Sequence, residues 1–141
     1  MPTRTSSAEW RGALRDGKGQ FSVGKSYTGS YSFVSRFETG EGTNPEELLG
    51  AAHAACFSMA LSAGLGANKI TPVAIRTTAA VTLDKVEGGF GITTIALDCE
   101  GEVPGLSAAE FTRYAEEAKA GCPVSKALAG TKISLTARLK A

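Results

Sequence analysis

One segment constrains the fold of this chain more than any other, the apolar run in GTNPEELLGAAHAACFSMALSAGLG. Asn44 is a favourable N-cap, and Pro45 suits the first position of a helix. The segment therefore predicts a helix from about Pro45 to about Leu65, ended by Gly64 or Gly66. Because small or apolar residues stand on every face, we expect a central helix that is buried on most sides.

The residues before this helix predict β structure. Between residues 8 and 37, apolar residues alternate with polar ones on either side of a glycine-containing turn at residues 16–19. The alternation continues through Tyr31 and Phe33 to Arg36. We therefore expect a three-stranded meander in which Arg36 ends the third strand.

The residues after the helix predict a longer β-hairpin. Residues 72–84 and 90–102 are rich in β-branched residues and flank a loop at residues 84–89. In the second strand the apolar positions change parity between Thr94 and Ile95, which indicates a β-bulge.

Two further helices and a last strand complete the chain. Ser107 and Glu110 have the spacing of a capping box and predict a helix that ends near Gly121. Cys122 and the proline after it open a short helix, and residues 132–140 alternate as a strand. The predicted order is βββ–α–ββ–αα–β, an α+β fold with largely antiparallel pairing.

The chain length bounds the number of domains. A chain of 141 residues suits one folding unit, so we expect a single domain over residues 1–141. Its parts are an N-terminal meander at about 8–37, the central helix at about 45–65 and a C-terminal ββααβ part at about 72–140. A partner subunit could complete its core.

The charge balance argues against several classes of partner. Fifteen basic and fourteen acidic residues leave a net charge of +1, so no overall field attracts nucleic acid or an anionic membrane. The first residues lack an apolar stretch of signal-peptide length, and His53, Ser58 and Ser62 interrupt the apolar helix. We expect a cytoplasmic protein with no nucleic-acid partner and no membrane partner.

Cys56 stands in the middle of the apolar helix and has three interpretations. It could be a small buried residue that fills the core. It could form a thiolate–imidazolium couple with His53, three residues earlier on the same helical face. It could also be a redox nucleophile, which requires a nearby cation, partial access to solvent and a second thiol.

The other two cysteines differ in their surroundings. Cys122 lies at the start of the short helix, where free amides favour an anion, although a simple cap residue is an equal alternative. Cys99 shares a strand face with Ile95 and Leu97, so we expect it to fill the core. The three cysteines and the single histidine match no zinc-binding spacing, and we expect neither a metal nor a cofactor.

Two charged residues stand near the start of the central helix. Arg36 lies in an apolar and aromatic stretch, and Glu46 lies in the first helical turn, where the dipole favours a carboxylate. Each alone is commonly a solvated residue, but together they could form a bidentate ion pair. Because about 15 Å of helix separates Glu46 from Cys56, Glu46 could act only by holding the arginine.

These residues carry a resemblance to a known family. The chain resembles the OsmC/Ohr family of thiol-dependent organic hydroperoxide reductases, and its OsmC branch in particular, in SRFETGEGTNPEELLGAAHAACFSMAL and in KAGCPVSKAL. The similarity extends over nearly the whole chain. It implies that Cys56 is the peroxidatic cysteine and Cys122 the resolving cysteine. It also implies that Arg36 is the activating arginine, that Glu46 is its carboxylate partner and that His53 is a neighbour of the site.

The resemblance also implies an assembly and an activity. The assembly is an intertwined homodimer in which antiparallel sheets cradle a long buried helix, with two active sites at the subunit interface. The activity is the reduction of alkyl and fatty-acid hydroperoxides to alcohols through a sulfenate and an intramolecular disulfide. An external dithiol, such as a lipoylated protein, then reduces the disulfide. Two rivals stay open: a noncatalytic redox sensor or apolar-ligand-binding dimer, and a Cys–His hydrolase that uses His53.

Overall fold

The computed structural model describes residues 1–141, which form two compact units, residues 1–48 and residues 49–141. The first unit begins with an antiparallel meander of three short strands, β1 (Ser7–Arg11), β2 (Lys18–Val23) and β3 (Tyr27–Tyr31). The three-stranded meander that the sequence predicts is therefore confirmed.

The third strand ends earlier than the sequence predicts. Residues Phe33–Phe37 form a short helix, α1, so the prediction that Arg36 ends a strand is wrong. The Ser32 hydroxyl accepts a hydrogen bond from the Ser35 amide, and the Ser35 hydroxyl accepts one from the Ser32 amide. This reciprocal capping box stabilises a helical turn, and it outweighs the apolar–polar alternation of the same residues.

The long helix α2 (Pro45–Ala67) begins as predicted and ends later. The Asn44 side chain accepts a hydrogen bond of 2.8 Å from an amide in the first turn, which confirms the predicted N-cap. The prediction that Gly64 or Gly66 ends the helix is wrong, because the helix runs through both glycines. The chain leaves the helix at Lys69, which adopts a left-handed conformation with φ 62°.

Within the single chain, α2 is buried along one stripe only. The buried residues recur every three or four positions, at Glu46, Gly50, His53, Phe57, Leu61 and Leu65. The other faces carry mainly small and apolar residues, and among them Met59 is 75% exposed. By length and composition alone, α2 is also apolar enough to cross a membrane. Burial of α2 on most sides therefore requires a surface beyond this chain.

The second unit contains a three-stranded sheet of β4 (Ala74–Val86), β5 (Gly89–Glu102) and β6 (Lys132–Leu139), in that order. The first two strands form the predicted antiparallel hairpin. Their register shifts so that Thr93 is an extra residue in β5, which confirms the predicted bulge. The last strand, β6, pairs with β5 in parallel, because a helical crossover returns the chain to the same end of the sheet.

The crossover consists of α3 (Ala108–Gly121) and α4 (Pro123–Ala127). The Ser107 hydroxyl accepts a hydrogen bond from the Glu110 amide, so the predicted cap of α3 is confirmed. The predicted order of elements is confirmed with α1 added. The buried core of this unit combines α2, β5 and α3 and includes Phe57, Leu61, Leu65, Ile95, Leu97, Cys99, Phe111 and Ala115.

Candidate active site

Two thiols meet in the second unit. Cys56 and Cys122 are both free thiols, and they lie close enough that each shifts the pKa of the other. Cys56 lies on α2 and is half-buried, whereas Cys122 lies between α3 and α4 and is fully buried. The fold therefore brings together the two cysteines that the family resemblance pairs.

The start of α4 supplies hydrogen-bond donors to these thiols. The backbone of Val124 acts to lower the pKa of both thiols, and the backbone and side chain of Ser125 act to lower the pKa of Cys122. Pro123 occupies the first position of α4, where its missing N–H costs no helical hydrogen bond. The helix start therefore surrounds the Cys122 sulfur with groups that stabilise negative charge.

These contacts shift the pKa values of the two thiols in opposite directions. Burial raises the pKa of Cys56, and the hydrogen bond with Cys122 raises it further, against a lowering by the Val124 amide. Burial also acts to raise the pKa of Cys122, but the hydrogen bonds from Cys56 and Ser125 outweigh it and lower that pKa. Within this unit, negative charge is therefore favoured on Cys122 over Cys56.

His53 lies one helical turn before Cys56 and is fully buried. Its Nε2 is 2.7 Å from Ser125 Oγ, and its Nδ1 has no hydrogen-bond partner. Burial lowers the pKa of His53 and so favours the neutral ring. Because neither ring nitrogen pairs with Cys56, the thiolate–imidazolium couple is not formed, and the Cys–His hydrolase loses its base.

Ser125 is the residue of this cluster that the sequence did not reveal. It is 5% exposed, its Oγ lies 2.7 Å from His53 Nε2, and it acts to lower the pKa of Cys122. One local signal existed, because Ser125 stands three residues after the cap residue Cys122, a common spacing for a polar side chain in a first helical turn. Its bond to His53 joins residues 72 positions apart, and no local pattern encodes that contact.

An ion pair between Arg36 and Glu46 is present in the first unit. The sequence left open whether these two residues form a pair or are solvated separately. Arg36 Nη2 lies 2.7 Å from Glu46 Oε1, and Arg36 Nε lies 3.2 Å and 3.3 Å from the two carboxylate oxygens. Glu46 is 8% exposed and stands in the first turn of α2, where the helix dipole favours its charge. The pair therefore holds the guanidinium in one orientation.

Hydrogen bonds between α1 and the start of α2 support this orientation. Ser35 Oγ donates to the Thr43 carbonyl at 2.7 Å, and Asn44 Nδ2 donates to the Ser35 carbonyl at 2.9 Å. Next to them lies a cavity of about 270 Å³ with a mainly apolar wall formed by Trp10, Leu14, Tyr31, Ser32, Phe33, Arg36 and Phe37. The cavity places a fixed cation beside space for an alkyl or aryl group.

The Arg36–Glu46 pair belongs to the first unit, and the thiol pair belongs to the second. The structure describes the geometry of each pair by itself. The convergence of Arg36 on the Cys56 sulfur therefore stays a prediction.

Cys99 stands apart from this chemistry. It is fully buried in the core on β5, and burial raises its pKa. A buried thiol with a raised pKa is a poor nucleophile. The prediction that Cys99 fills the core is confirmed.

Comparison with known proteins links these residues to one family. A profile of the family described as OsmC-like protein matches residues 38–137, a span that contains both site cysteines and begins just after Arg36. Peroxiredoxin OsmC of Escherichia coli strain K12 is 53% identical over 135 residues, which cover 94% of each chain. The organic hydroperoxide resistance protein of Xanthomonas axonopodis pv. citri strain 306 is 36% identical over 92 residues, covering 64% of this chain and 63% of that protein.

Solved structures share the whole fold. An organic hydroperoxide resistance protein from Elizabethkingia anophelis superposes with a TM-score of 0.78 at 26% identity and covers 99% of both chains. An OsmC like protein from Mycoplasma pneumoniae gives a TM-score of 0.74 at 20% identity, again with 99% of both chains covered. At that lower identity the likeness supports the fold.

Proposed function

Because this chain belongs to the OsmC-like protein family and is a peroxidase-type oxidoreductase, we propose that it reduces organic hydroperoxides to alcohols with Cys56 as the attacking thiol. The observation that carries the proposal is that the fold brings the Cys56 and Cys122 thiols close enough for each to shift the pKa of the other. Cys56 is the more accessible of the two, so it is the thiol that meets a substrate.

The proposed reaction has three steps. The Cys56 thiolate attacks the terminal oxygen of the hydroperoxide, the O–O bond breaks, and Cys56 becomes a sulfenic acid while the alkoxide takes a proton and leaves as the alcohol. The Cys122 sulfur then attacks the Cys56 sulfur, which forms a disulfide and releases water. An external dithiol, such as a lipoylated protein, reduces the disulfide by exchange and is itself oxidised to a disulfide.

Arg36 supplies the positive charge that the first step requires. Burial raises the pKa of Cys56, so its thiolate needs a nearby cation. Glu46 engages Nε and Nη2 of the guanidinium, which leaves Nη1 to donate to the oxygens of the substrate. As negative charge moves onto the departing alkoxide, the same guanidinium stabilises it.

The apolar cavity beside Arg36 favours hydroperoxides with an alkyl or aryl group. Its wall contains the rings of Trp10, Tyr31 and Phe33. Burial of a hydrocarbon group contributes about 25 cal/mol per Å², and hydrogen peroxide has no such group. We therefore expect fatty-acid and alkyl hydroperoxides to be better substrates than hydrogen peroxide.

The functional unit is a homodimer in the cytoplasm. The faces of α2 that the single chain leaves open are apolar, and Met59 is 75% exposed on them. A large exposed apolar surface is typical of a protein interface. A second copy of the chain covers these faces and completes the burial of α2.

Replacement of Cys56 tests the proposal. We expect Cys56→Ser to stop the consumption of cumene hydroperoxide in the presence of excess dithiol. Cys99→Ala, which removes a core thiol, is the matched control and should keep the wild-type rate. Sustained consumption by Cys56→Ser would overturn the proposal. If the wild-type protein forms its disulfide once but never turns over with dithiol, the noncatalytic redox sensor is the correct function.

A further inference from the structure

A second arginine lies beside the apolar cavity of the first unit. The guanidinium carbon of Arg15 lies 4.8 Å from the centroid of the Phe33 ring, and Phe33 is part of the cavity wall. The residue before Arg15, Leu14, also lines the cavity. The three reaction steps above use Arg36 and make no use of Arg15.

Two neighbouring aromatic rings each carry one of these arginines. The ring centroids of Phe33 and Phe37 are 4.8 Å apart, and the guanidinium carbon of Arg36 lies 5.5 Å from the centroid of Phe37. The two phenylalanines adjoin because residues four apart in a helix, here α1, lie on the same face. The apolar wall of the cavity therefore has a cation stacked on each of two adjoining rings.

The two cations differ in how their charge is compensated. Arg36 is paired with Glu46 at 2.7 Å, so a carboxylate already balances its charge. Arg15 forms no ion pair, and its partner is the Phe33 ring, which carries no net charge. An arginine is always charged and has five N–H donors. An anionic group that enters the cavity is therefore stabilised more at Arg15 than at Arg36.

We propose that Arg15 binds the carboxylate of fatty-acid hydroperoxides and so selects substrates with a free carboxylate over the corresponding neutral esters. The inference rests on the proposed function, in which the cavity holds the organic group of the substrate beside Arg36. The hydrocarbon part lies along Phe33 and Phe37. The hydroperoxide group lies at Arg36, and the carboxylate lies at Arg15. Arg15 determines specificity and takes no part in cleavage of the O–O bond.

The expected size of the effect follows from the exposure of Arg15. Burial of the hydrocarbon part favours the acid and its ester alike, whereas the pair between guanidinium and carboxylate forms only with the acid. Because Arg15 is exposed, water screens this pair, and we expect it to contribute about a fivefold change in affinity. The contribution should shrink as the salt concentration rises.

The single tryptophan of the chain permits a direct binding test, because Trp10 is part of the cavity wall. We expect titration of the wild-type protein with octanoate, and with methyl octanoate, to change the fluorescence of Trp10. In Arg15→Gln, octanoate should bind about fivefold more weakly, and methyl octanoate should bind as it does to the wild type. Neither probe is a peroxide, so this readout needs no turnover.

Lys25→Gln is the matched control for the binding test. It removes an exposed positive charge from the same unit, but Lys25 lies in the turn between β2 and β3, at the other end of the meander from Arg15. Its affinity for octanoate should equal that of the wild type. Unchanged octanoate affinity in Arg15→Gln, or an equal loss of affinity for octanoate and its methyl ester, would overturn the inference.

Turnover of a matched pair of hydroperoxides provides the second test. We compare kcat/KM for linoleic acid hydroperoxide with kcat/KM for its methyl ester, and we expect the ratio to fall about fivefold in Arg15→Gln. Because cumene hydroperoxide has no carboxylate, its kcat/KM should stay at the wild-type value. A ratio equal to that of the wild type would contradict a role of Arg15 in specificity.

The two tests separate this inference from the proposed function. If the wild-type protein consumes none of these hydroperoxides, the proposed function fails, and the fluorescence titration still decides whether Arg15 binds a carboxylate in the cavity. If the wild-type protein consumes them and Arg15→Gln keeps the wild-type affinity for octanoate, the role of Arg15 fails and the peroxidase function stands.

Discussion

Cys56 and Cys122 influence each other's ionisation: burial raises the pKa of Cys56, whereas the pKa of Cys122 is lowered in spite of its burial. The thiol with the raised pKa is the more exposed one: Cys56 is half-buried, whereas Cys122 is fully buried. The thiol that can meet a substrate is therefore the one that needs help to ionise. Cys122, which ionises more readily, is buried next to Cys56, which suits a resolving role.

Replacement of Cys122 should separate the attacking role of Cys56 from the resolving role of Cys122. We expect Cys122→Ser to react once with an organic hydroperoxide and then to lose activity, because the sulfenic acid on Cys56 has no thiol partner and is oxidised further to the sulfinic and sulfonic acids. Mass spectrometry of the intact protein during titration with cumene hydroperoxide measures these products. Sustained turnover by Cys122→Ser with dithiol would contradict its resolving role.

Replacement of Arg36 by lysine should slow the first step of the reaction. A lysine keeps the charge but cannot engage both oxygens of Glu46 and a substrate at the same time. Because a charge-assisted hydrogen bond contributes about 1.5–3 kcal/mol, we expect the rate of sulfenic acid formation to fall by about tenfold to a hundredfold. Stopped-flow kinetics with cumene hydroperoxide measure the rate.

Arg11→Lys is the matched control for this change. The ion pair of Arg11 with Glu9 is exposed to solvent, so its loss should leave the rate unchanged. A wild-type rate in Arg36→Lys would limit the Arg36–Glu46 pair to a structural role.

The buried His53 should make stability depend on pH. Burial lowers the pKa of His53 in the folded protein, whereas the unfolded chain binds a proton there below a pH of about 6.5. The free energy of unfolding is therefore fully present above that pH and falls as the pH drops toward the folded pKa, by up to about 1.4 kcal/mol per pH unit. Urea unfolding between about pH 7 and pH 5 measures this slope.

His53→Gln supplies the control, because glutamine does not titrate. We expect the free energy of unfolding of His53→Gln to vary less over the same pH range, whatever its absolute value. Equal slopes for the two proteins would show that the pKa of His53 is the same in the folded and unfolded states.

A charge on the open face of α2 should weaken the proposed homodimer. Met59 is 75% exposed in the single chain, and Met59→Glu would place a carboxylate in the interface. Because burial of an unpaired charge costs several kcal/mol, we expect the dissociation constant of the dimer to rise by about a hundredfold or more. Sedimentation velocity over a range of protein concentrations measures it.

Met59→Leu nearly conserves the volume of the side chain and is the matched control, expected to sediment like the wild type. If Met59→Glu also sediments as a dimer, the second copy contacts another face of the chain.

Elements with local causes could be predicted from the sequence. Asn44 and Pro45 predict the start of α2, because an N-cap and a proline at the first helical position depend only on residues within one turn. The bulge at Thr93 shows as a change of parity because apolar side chains of one strand must face one core. Local patterns failed at α1, where the hydrogen bonds between Ser32 and Ser35 outweigh the alternation that suggested a strand.

Tertiary structure alone decided which side chains meet. His53 and Cys56 share a helical face, which suggested that they pair. The His53 ring instead contacts Ser125, 72 positions away in the chain. The contact of Cys56 with Cys122 and the parallel pairing of β6 also join segments far apart in the chain. Their positions follow from how α2, α3 and α4 pack on one sheet, and packing depends on the shape and volume of the whole core, which no short stretch of sequence contains.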